Sequence, residues 1–279
     1  MLRLYDSGAP DGIPVLVHSG TPAAGLLYKG WIADAQAKGI RLIGYDRAGY
    51  GGSSPNPGRT VASAAKEVRT IANALGISRL LVWGVSGGGP HALACAALLP
   101  ELVAAAAALA SLAPYPAEGL DWFAGMADDN IAEFQAALTG RQALEALTEA
   151  ETPDLLALDG KTLTQSLRSV LSEADRAAIT EAYGNYVAEK IRLGIQARRD
   201  GWVDDNLAFM KPWDFELSQI RVPVLVMHGM QDKALPAAHG LWLAEHIPGA
   251  EARLLPEDGH STMSVKRIPQ VHDWLLSKW

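Results

Sequence analysis

Short apolar runs recur early in the chain, at Val15–Val17, Arg41–Tyr45, Leu80–Trp83 and Leu102–Leu109, and helix-compatible stretches at Leu26–Lys38 and Val61–Leu75 separate them. Gly76 follows the second of these where a C-terminal cap belongs. Strands that are apolar on both sides need helices on both sides, so the alternation predicts an α/β protein with a mostly parallel central sheet flanked by helices. Leu2–Tyr5 reads as a short first strand, with the leading hairpin of such a sheet trimmed.

From Tyr115 to about Trp213 the β-branched runs vanish and long helical patterns take over, notably Asn130–Ala150 and Glu173–Arg199. The strand signal returns at Val222–Met227 and Ala252–Leu255, with a helix at Ala237–His246 between them and another at Pro269–Lys278 closing the chain. The expected organisation is one core made of residues 1–114 and 214–279, interrupted by a helical lid, or cap, at 115–213. No internal repeat divides the chain further.

Composition narrows the class. A hydrophobic share of 49% with 20% charged residues suits a globular core rather than a disordered chain. The net charge of -7 argues against nucleic acid or an anionic membrane as partner and leaves a small-molecule substrate. The segment Met1–Asp6 lacks the apolar centre of a signal peptide, and the run Leu102–Ala113 falls short of the roughly 20 residues that span a bilayer. A lone cysteine, Cys95, excludes an internal disulfide and reads as a small core residue. Together these suit a mature chain in the cytoplasm. No cofactor is expected, because the sequence holds no G-x-G-x-x-G, and Gly160-Lys161-Thr162 follows no strand and lacks the earlier glycine of a phosphate-binding loop. No clustered His, Cys or acidic spacing suggests a metal.

The chemistry concentrates where the run Leu80–Trp83 drives into Gly84-Val85-Ser86-Gly87-Gly88. This is the G-x-S-x-G spacing of a nucleophile elbow, a sharp strand-to-helix turn that exposes a serine at the end of a sheet. A side chain at Gly84 or Gly88 would meet neighbouring backbone, which gives the glycines a physical reason. Five residues with three fixed identities also occur by chance in glycine-rich loops, so the surroundings decide. A serine hydroxyl becomes nucleophilic near neutral pH when an imidazole oriented by a carboxylate takes its proton. On this architecture the partners follow in the order Ser, acid, His, each past a strand. The loop after Met227 holds Asp232, and the loop after Leu255 holds His260. Glu257 and Asp258 compete with Asp232, which is favoured by the turn that Gly229 and Pro236 define. Among the other histidines, His228 reads as a strand-end residue, His91 as turned away from the hydroxyl, and His239, His246 and His272 as surface groups. A tetrahedral intermediate further needs two backbone N–H groups. Gly87 supplies one at a helix N-terminus, and the loop His18-Ser19-Gly20-Thr21-Pro22 supplies the other, assigned to Thr21 with Ser19 and Gly20 as alternatives.

The segments HSGTP at 18–22, DRAGYGGS at 46–53, GVSGGGP at 84–90, HGMQDKALP at 228–236 and EDGH at 257–260 stand in the order and spacing of the lidded α/β-hydrolase fold superfamily, which the chain resembles over nearly its whole length. The resemblance implies Ser86 as nucleophile, Asp232 as orienting acid, His260 as base and the amides of Thr21 and Gly87 as the oxyanion hole. It also implies a structural loop at Asp46-Arg47. Ser19-Gly20 departs from the commoner His-Gly, which bears on the choice of second donor. Elbow serines of this kind serve esterases, lactonases, C–C bond hydrolases and cofactor-free perhydrolases, while dehalogenases and epoxide hydrolases carry aspartate there.

Most of the lid's large side chains, among them Trp122, Phe134, Trp202 and Phe209, belong to helix packing rather than to ligand contact. A few should line the pocket mouth and favour a small to medium, largely apolar carboxylic ester or lactone. C–C bond hydrolysis and perhydrolysis on the same triad are the alternatives, and a non-catalytic ligand-binding member of the fold is the alternative of another class.

Overall fold

A computed structural model describes residues 1–279. Seven strands, β1 Leu4–Gly8, β2 Ile13–His18, β3 Ile40–Tyr45, β4 Leu80–Val85, β5 Val103–Leu109, β6 Val224–Gly229 and β7 Glu251–Leu255, form one sheet in the order β1-β3-β2-β4-β5-β6-β7. Only β1 runs antiparallel to its neighbour. The mostly parallel α/β expectation therefore holds. The first strand differs from Leu2–Tyr5: it extends through the polar Asp6 and Ser7 and pairs with β3 rather than forming a hairpin with β2. An edge strand keeps one row of backbone groups in solvent and tolerates such residues.

The helices in order are α1 Lys29–Ala37, α2 Ser63–Leu75, α3 Gly89–Leu98, α4 Asp128–Thr139, α5 Arg141–Leu156, α6 Leu163–Ser166, α7 Glu173–Ala178, α8 Glu181–Ile195, α9 Asp200–Phe209, α10 Ala237–His246, the single turn α11 His260–Thr262, and α12 Ile268–Leu276. Alternate residues of one strand enter opposite layers of core. Val15 and Val17 belong to the layer of core that holds Trp31 of α1 and Val271 of α12, while Leu16 belongs to the layer that holds Val68 of α2, Leu93 of α3 and Leu243 of α10. Alanine is a weak strand former, yet Ala105–Ala108 of β5 are fully buried in the sheet's middle, where tertiary packing overrides propensity.

Residues 115–213 hold α4–α9 and no strand. The two long helical patterns there are each broken. Gly140, at φ 130, separates α4 from α5, and Thr180, whose hydroxyl accepts from the Tyr183 amide, starts α8 after α7 has ended. No helix is long and apolar enough to cross a membrane.

Candidate active site

Ser86 sits between β4 and the helix that begins at Gly89, with φ at +55. A non-glycine residue there is strained by about 1–2 kcal/mol, which the surrounding fold must over-determine. It does so by close approach: a Cβ on Gly84 would lie 2.1 Å from the Gly88 carbonyl oxygen, and one on Gly88 would lie 2.1 Å from the His18 carbonyl oxygen. The turn can therefore be made only with glycine at both places. The hydroxyl faces a cavity of about 650 Å³ that is also lined by Gly20, Thr21 and His260.

His260 ends the loop after β7 and opens α11, and its Nδ1 lies 2.7 Å from Asp232 Oδ2, in the loop after β6. The Asp232 carboxylate is fully buried and also accepts from the Leu235 amide at 2.8 Å, while His228 Nε2 stands 3.2 Å away. Burial opposes its charge, but His260 and His228 prevail and hold the carboxyl down to about 2. Burial likewise disfavours a charged His260; the Asp232 carboxylate outweighs it and raises the imidazole above its ordinary 6.5. Because Nδ1 donates to a carboxylate, neutral His260 keeps its Nε2 lone pair free on the other side of the ring. Glu257 and Asp258 take no part: Glu257 is exposed, and Asp258 pairs with Arg267 at 2.7 Å. Ser86 and His260 face the same cavity without bonding each other.

The loop Ser19–Pro22 lies against the elbow. A Cβ on Gly20 would come within 3.2 Å of Ser86 Cβ, and a Cβ on Gly87 within 2.5 Å of Thr21 Oγ1. The amides of Gly20 and Thr21 donate to no protein group. Their direction has an identifiable cause. Arg47 Nη1 donates to the Ser19 carbonyl and Nη2 lies 3.5 Å from the Gly20 carbonyl. A planar trans peptide points its N–H opposite to its C=O, so carbonyls turned toward Arg47 turn the next two amides away from it.

Arg47 is anchored by Asp205 of α9. Asp205 Oδ2 accepts from Arg47 at 2.6 Å, Tyr50 at 2.8 Å and Thr21 Oγ1 at 2.7 Å; Oδ1 accepts from Arg59 at 2.6 Å and stands 3.1 Å from His91 Nε2. Burial penalises the Asp205 charge, but the two guanidinium groups hold its carboxyl well below the usual range. Burial pushes His91 down to about 4, so it is neutral at pH 7. A second such tie comes from Asp175 of α7, whose carboxylate accepts the amides of His260 at 3.0 Å and Thr262 at 2.9 Å. The helical segment thus holds both the loop carrying the imidazole and the loop beside the elbow. In the sequence Asp46-Arg47 reads as scaffold, and no motif marks Asp205 or Asp175. The one available signal was the acidic pair Asp204-Asp205 within an apolar helical stretch.

Two histidines expected at the surface are instead buried. His239 Nδ1 accepts from the Ala113 amide at 3.1 Å while Nε2 donates to the Trp122 carbonyl at 2.9 Å, and His272 Nδ1 lies 2.7 Å from Asp34. Each occupies the inward face of its helix with a polar partner waiting there. His246 is exposed, and His91 turns into the interior. Cys95 is buried, and burial pushes its thiol up.

Of the large side chains singled out in the helical segment, Trp202 alone reaches the cavity; Trp122, Met126, Phe134 and Phe209 are buried in the main core. The cavity is more polar than expected. Beside Leu155, Leu167 and Ile191 it presents Asp129, Glu133, Glu151, Asp154 and a single cation, Lys190. Burial raises Glu133 to about 7, against hydrogen bonds from Trp202 and from Asn206 at 2.7 Å.

A family model described as alpha/beta hydrolase fold matches residues 13–266. A non-heme chloroperoxidase of Streptomyces lividans is 28% identical over 84% of this chain and 79% of its own length. A pimeloyl-[acyl-carrier protein] methyl ester esterase of Nitrosomonas europaea is 27% identical over 82% of each. A 2-hydroxy-6-oxononadienedioate/2-hydroxy-6-oxononatrienedioate hydrolase of Paraburkholderia phymatum is 26% identical over 93% of this chain and 85% of its own. Relatives at nearly equal identity carry three different activity names, so likeness at this level does not choose among reactions.

Proposed function

The chain belongs to the alpha/beta hydrolase fold family, and from that premise we propose that it is a serine hydrolase cleaving a small to medium, largely apolar carboxylic ester or lactone. The observation that carries the proposal is the 2.7 Å contact of His260 with a buried Asp232, its imidazole facing the same cavity as a strained Ser86. In this reading His260 Nε2 takes the Ser86 proton as Oγ attacks the ester carbonyl. The tetrahedral oxyanion is met by the amides of Thr21 and Gly87. Its collapse breaks the C–O bond, the imidazolium protonates the departing alkoxide, and an acyl-serine remains. Water, deprotonated by the same imidazole, attacks the acyl carbon and releases the acid, restoring Ser86. Asp232 stabilises the imidazolium and fixes its tautomer without becoming protonated. Residues 115–213 act as the lid over this centre.

C–C bond hydrolysis on the same residues is the second reading, favoured by the likeness to the dienedioate hydrolase. A panel of short-chain nitrophenyl esters, γ- and δ-lactones and vinylogous 1,5-diketones separates the readings. Ester or lactone turnover with diketones inert supports the first; diketone cleavage with esters inert overturns it in favour of the second.

A further inference from the structure

Lys190, on α8, is the one cation lining the cavity that Ser86 and His260 share. It is nine-tenths buried, at 9% exposure. Its ammonium forms no ion pair, while its backbone carbonyl is occupied by the Ala24 amide at 2.9 Å. The only group the ammonium engages is the ring of Tyr186, with Nζ 5.4 Å from the centroid. Tyr186 is itself fixed, its hydroxyl donating to the Leu26 carbonyl at 2.8 Å. An ammonium removed from water costs several kcal/mol unless a counter-charge meets it, and a face of one aromatic ring returns only part of that. Burial lowers the group to about 8, assisted by the positive charge of Arg47, with no carboxylate acting in the opposite sense. At neutral pH it is still mostly a cation. The charge of Lys190 is also felt at His260, where it disfavours the imidazolium, so the two stand within electrostatic reach of one another.

The cavity's carboxylates do not fill the role. Glu133 is taken up by Trp202 and Asn206, Asp129 accepts from the Ser169 hydroxyl, Glu151, raised by its own burial and by Asp129 and Asp154, owes nothing to a nearby cation, and no carboxylate, Asp154 included, stabilises the Lys190 charge. Nζ meets the cavity's solvent and no protein counter-charge, so a ligand entering the cavity finds it unpaired. We infer that Lys190 receives a carboxylate borne by the substrate, so that the ester or lactone taken here has an apolar body and one anionic end. A single cation among several carboxylates matches one negative charge; a phosphate dianion would bring a second charge that no lining side chain meets. The inference rests on the serine-hydrolase reading for its location, and it names the substrate class of that same site.

The test separates binding from turnover. Ser86→Ala protein is titrated by calorimetry with monomethyl adipate and with dimethyl adipate, which differ only in whether the far carboxyl is charged, and with hexyl phosphate. Monomethyl adipate should bind at least tenfold more tightly than the diester, the range of a charge-assisted hydrogen bond. In the double variants carrying Lys190→Met or Lys190→Gln, that ratio should fall to within about threefold. Equal affinity for the two adipates overturns the inference, as does a preference that survives both substitutions or tighter binding of hexyl phosphate. Circular dichroism identifies which double variants fold; Gln, one atom shorter than Lys, offers a polar neutral head should Met fail. Wild-type protein inert toward every ester, with the adipate preference intact in these titrations, would fault the hydrolase reading and leave the anion site standing.

Discussion

Thr21 Oγ1 donates to Asp205 Oδ2 at 2.7 Å, joining the loop beside the elbow to a helix 184 residues further along the chain. Asp205 is fully buried and is shared by Arg47 and Arg59, so the loop is tied to a charge that cannot easily move. Thr21→Val keeps the shape and removes the hydroxyl. It should cost about 1–2 kcal/mol in urea unfolding, because a buried acceptor loses one of several donors. Its effect on kcat should be larger, about a hundredfold or more, with KM little changed, because in the proposed mechanism the tie positions an oxyanion donor that acts on the transition state. A kcat loss no greater than the stability loss would make Thr21 a structural residue only.

Asp205→Asn removes the charge while keeping the size. Two buried guanidinium groups would then lose the carboxylate they pair with and keep only the unpaired charge of Glu67 nearby, and breaking such a pair costs about 3–5 kcal/mol. Chemical denaturation should show that loss, and replacing Asp204, whose partner Arg141 is far more exposed, should cost much less. Equal costs at the two neighbours would contradict the role given to Asp205.

The pH profile follows from the imidazole. In the proposed mechanism His260 is the general base and must be neutral, and its carboxylate partner raises it above 6.5, so kcat/KM should rise with pH to a plateau whose midpoint lies above 6.5. Asp232→Asn should move that midpoint downward and lower kcat by about ten-thousand-fold. A midpoint unmoved by the substitution would assign the limb to another group.

Acid stability has a separate source. His91 and His239 are each pushed by burial to about 4, so between the ordinary 6.5 and about 4 the unfolded chain binds protons that the folded one refuses. Stability should therefore fall as pH drops through that window, by about 2–3 kcal/mol for each imidazole. Asp232, held at about 2, adds its own loss only below the ordinary carboxylate range. The raised His260 has the opposite sense: its contribution is full below 6.5 and is lost as pH climbs through its higher folded value. Denaturation midpoints at pH 7 and 4.5, compared with those of His239→Gln, measure one histidine's share; an identical slope in the variant would remove His239 from the account.

What the sequence disclosed is what local geometry demands. Gly84 and Gly88 were legible because one turn, within five residues, leaves no room for a side chain at either, where a Cβ would lie 2.1 Å from a carbonyl oxygen, and they mark the serine between them. Asp232 and His260 were legible because each follows a strand whose apolar run marks it. Asp205 was not, since its meaning lies in Thr21, Arg47, Arg59 and His91, which the chain scatters and only folding gathers. Lys190 was hidden for a related reason: a lysine on an amphipathic helix is nearly always a solvated group, and nothing near it in sequence shows that Tyr186, a turn away, faces inward with it. His239 shows the same blindness, being read as surface because the carbonyl and amide that satisfy it belong to Trp122 and Ala113. The first strand was misplaced because polar residues on a sheet edge carry no alternation to read.

The central claim is that Ser86 is the nucleophile, and active-site labelling tests it most directly. Wild-type protein treated with a fluorophosphonate and analysed by intact-protein and peptide mass spectrometry should carry one phosphonyl group, on Ser86, with ester turnover falling in proportion. Ser86→Ala should take up no label and show no turnover above the uncatalysed rate. Label on another serine, or turnover that survives the substitution, would contradict the account.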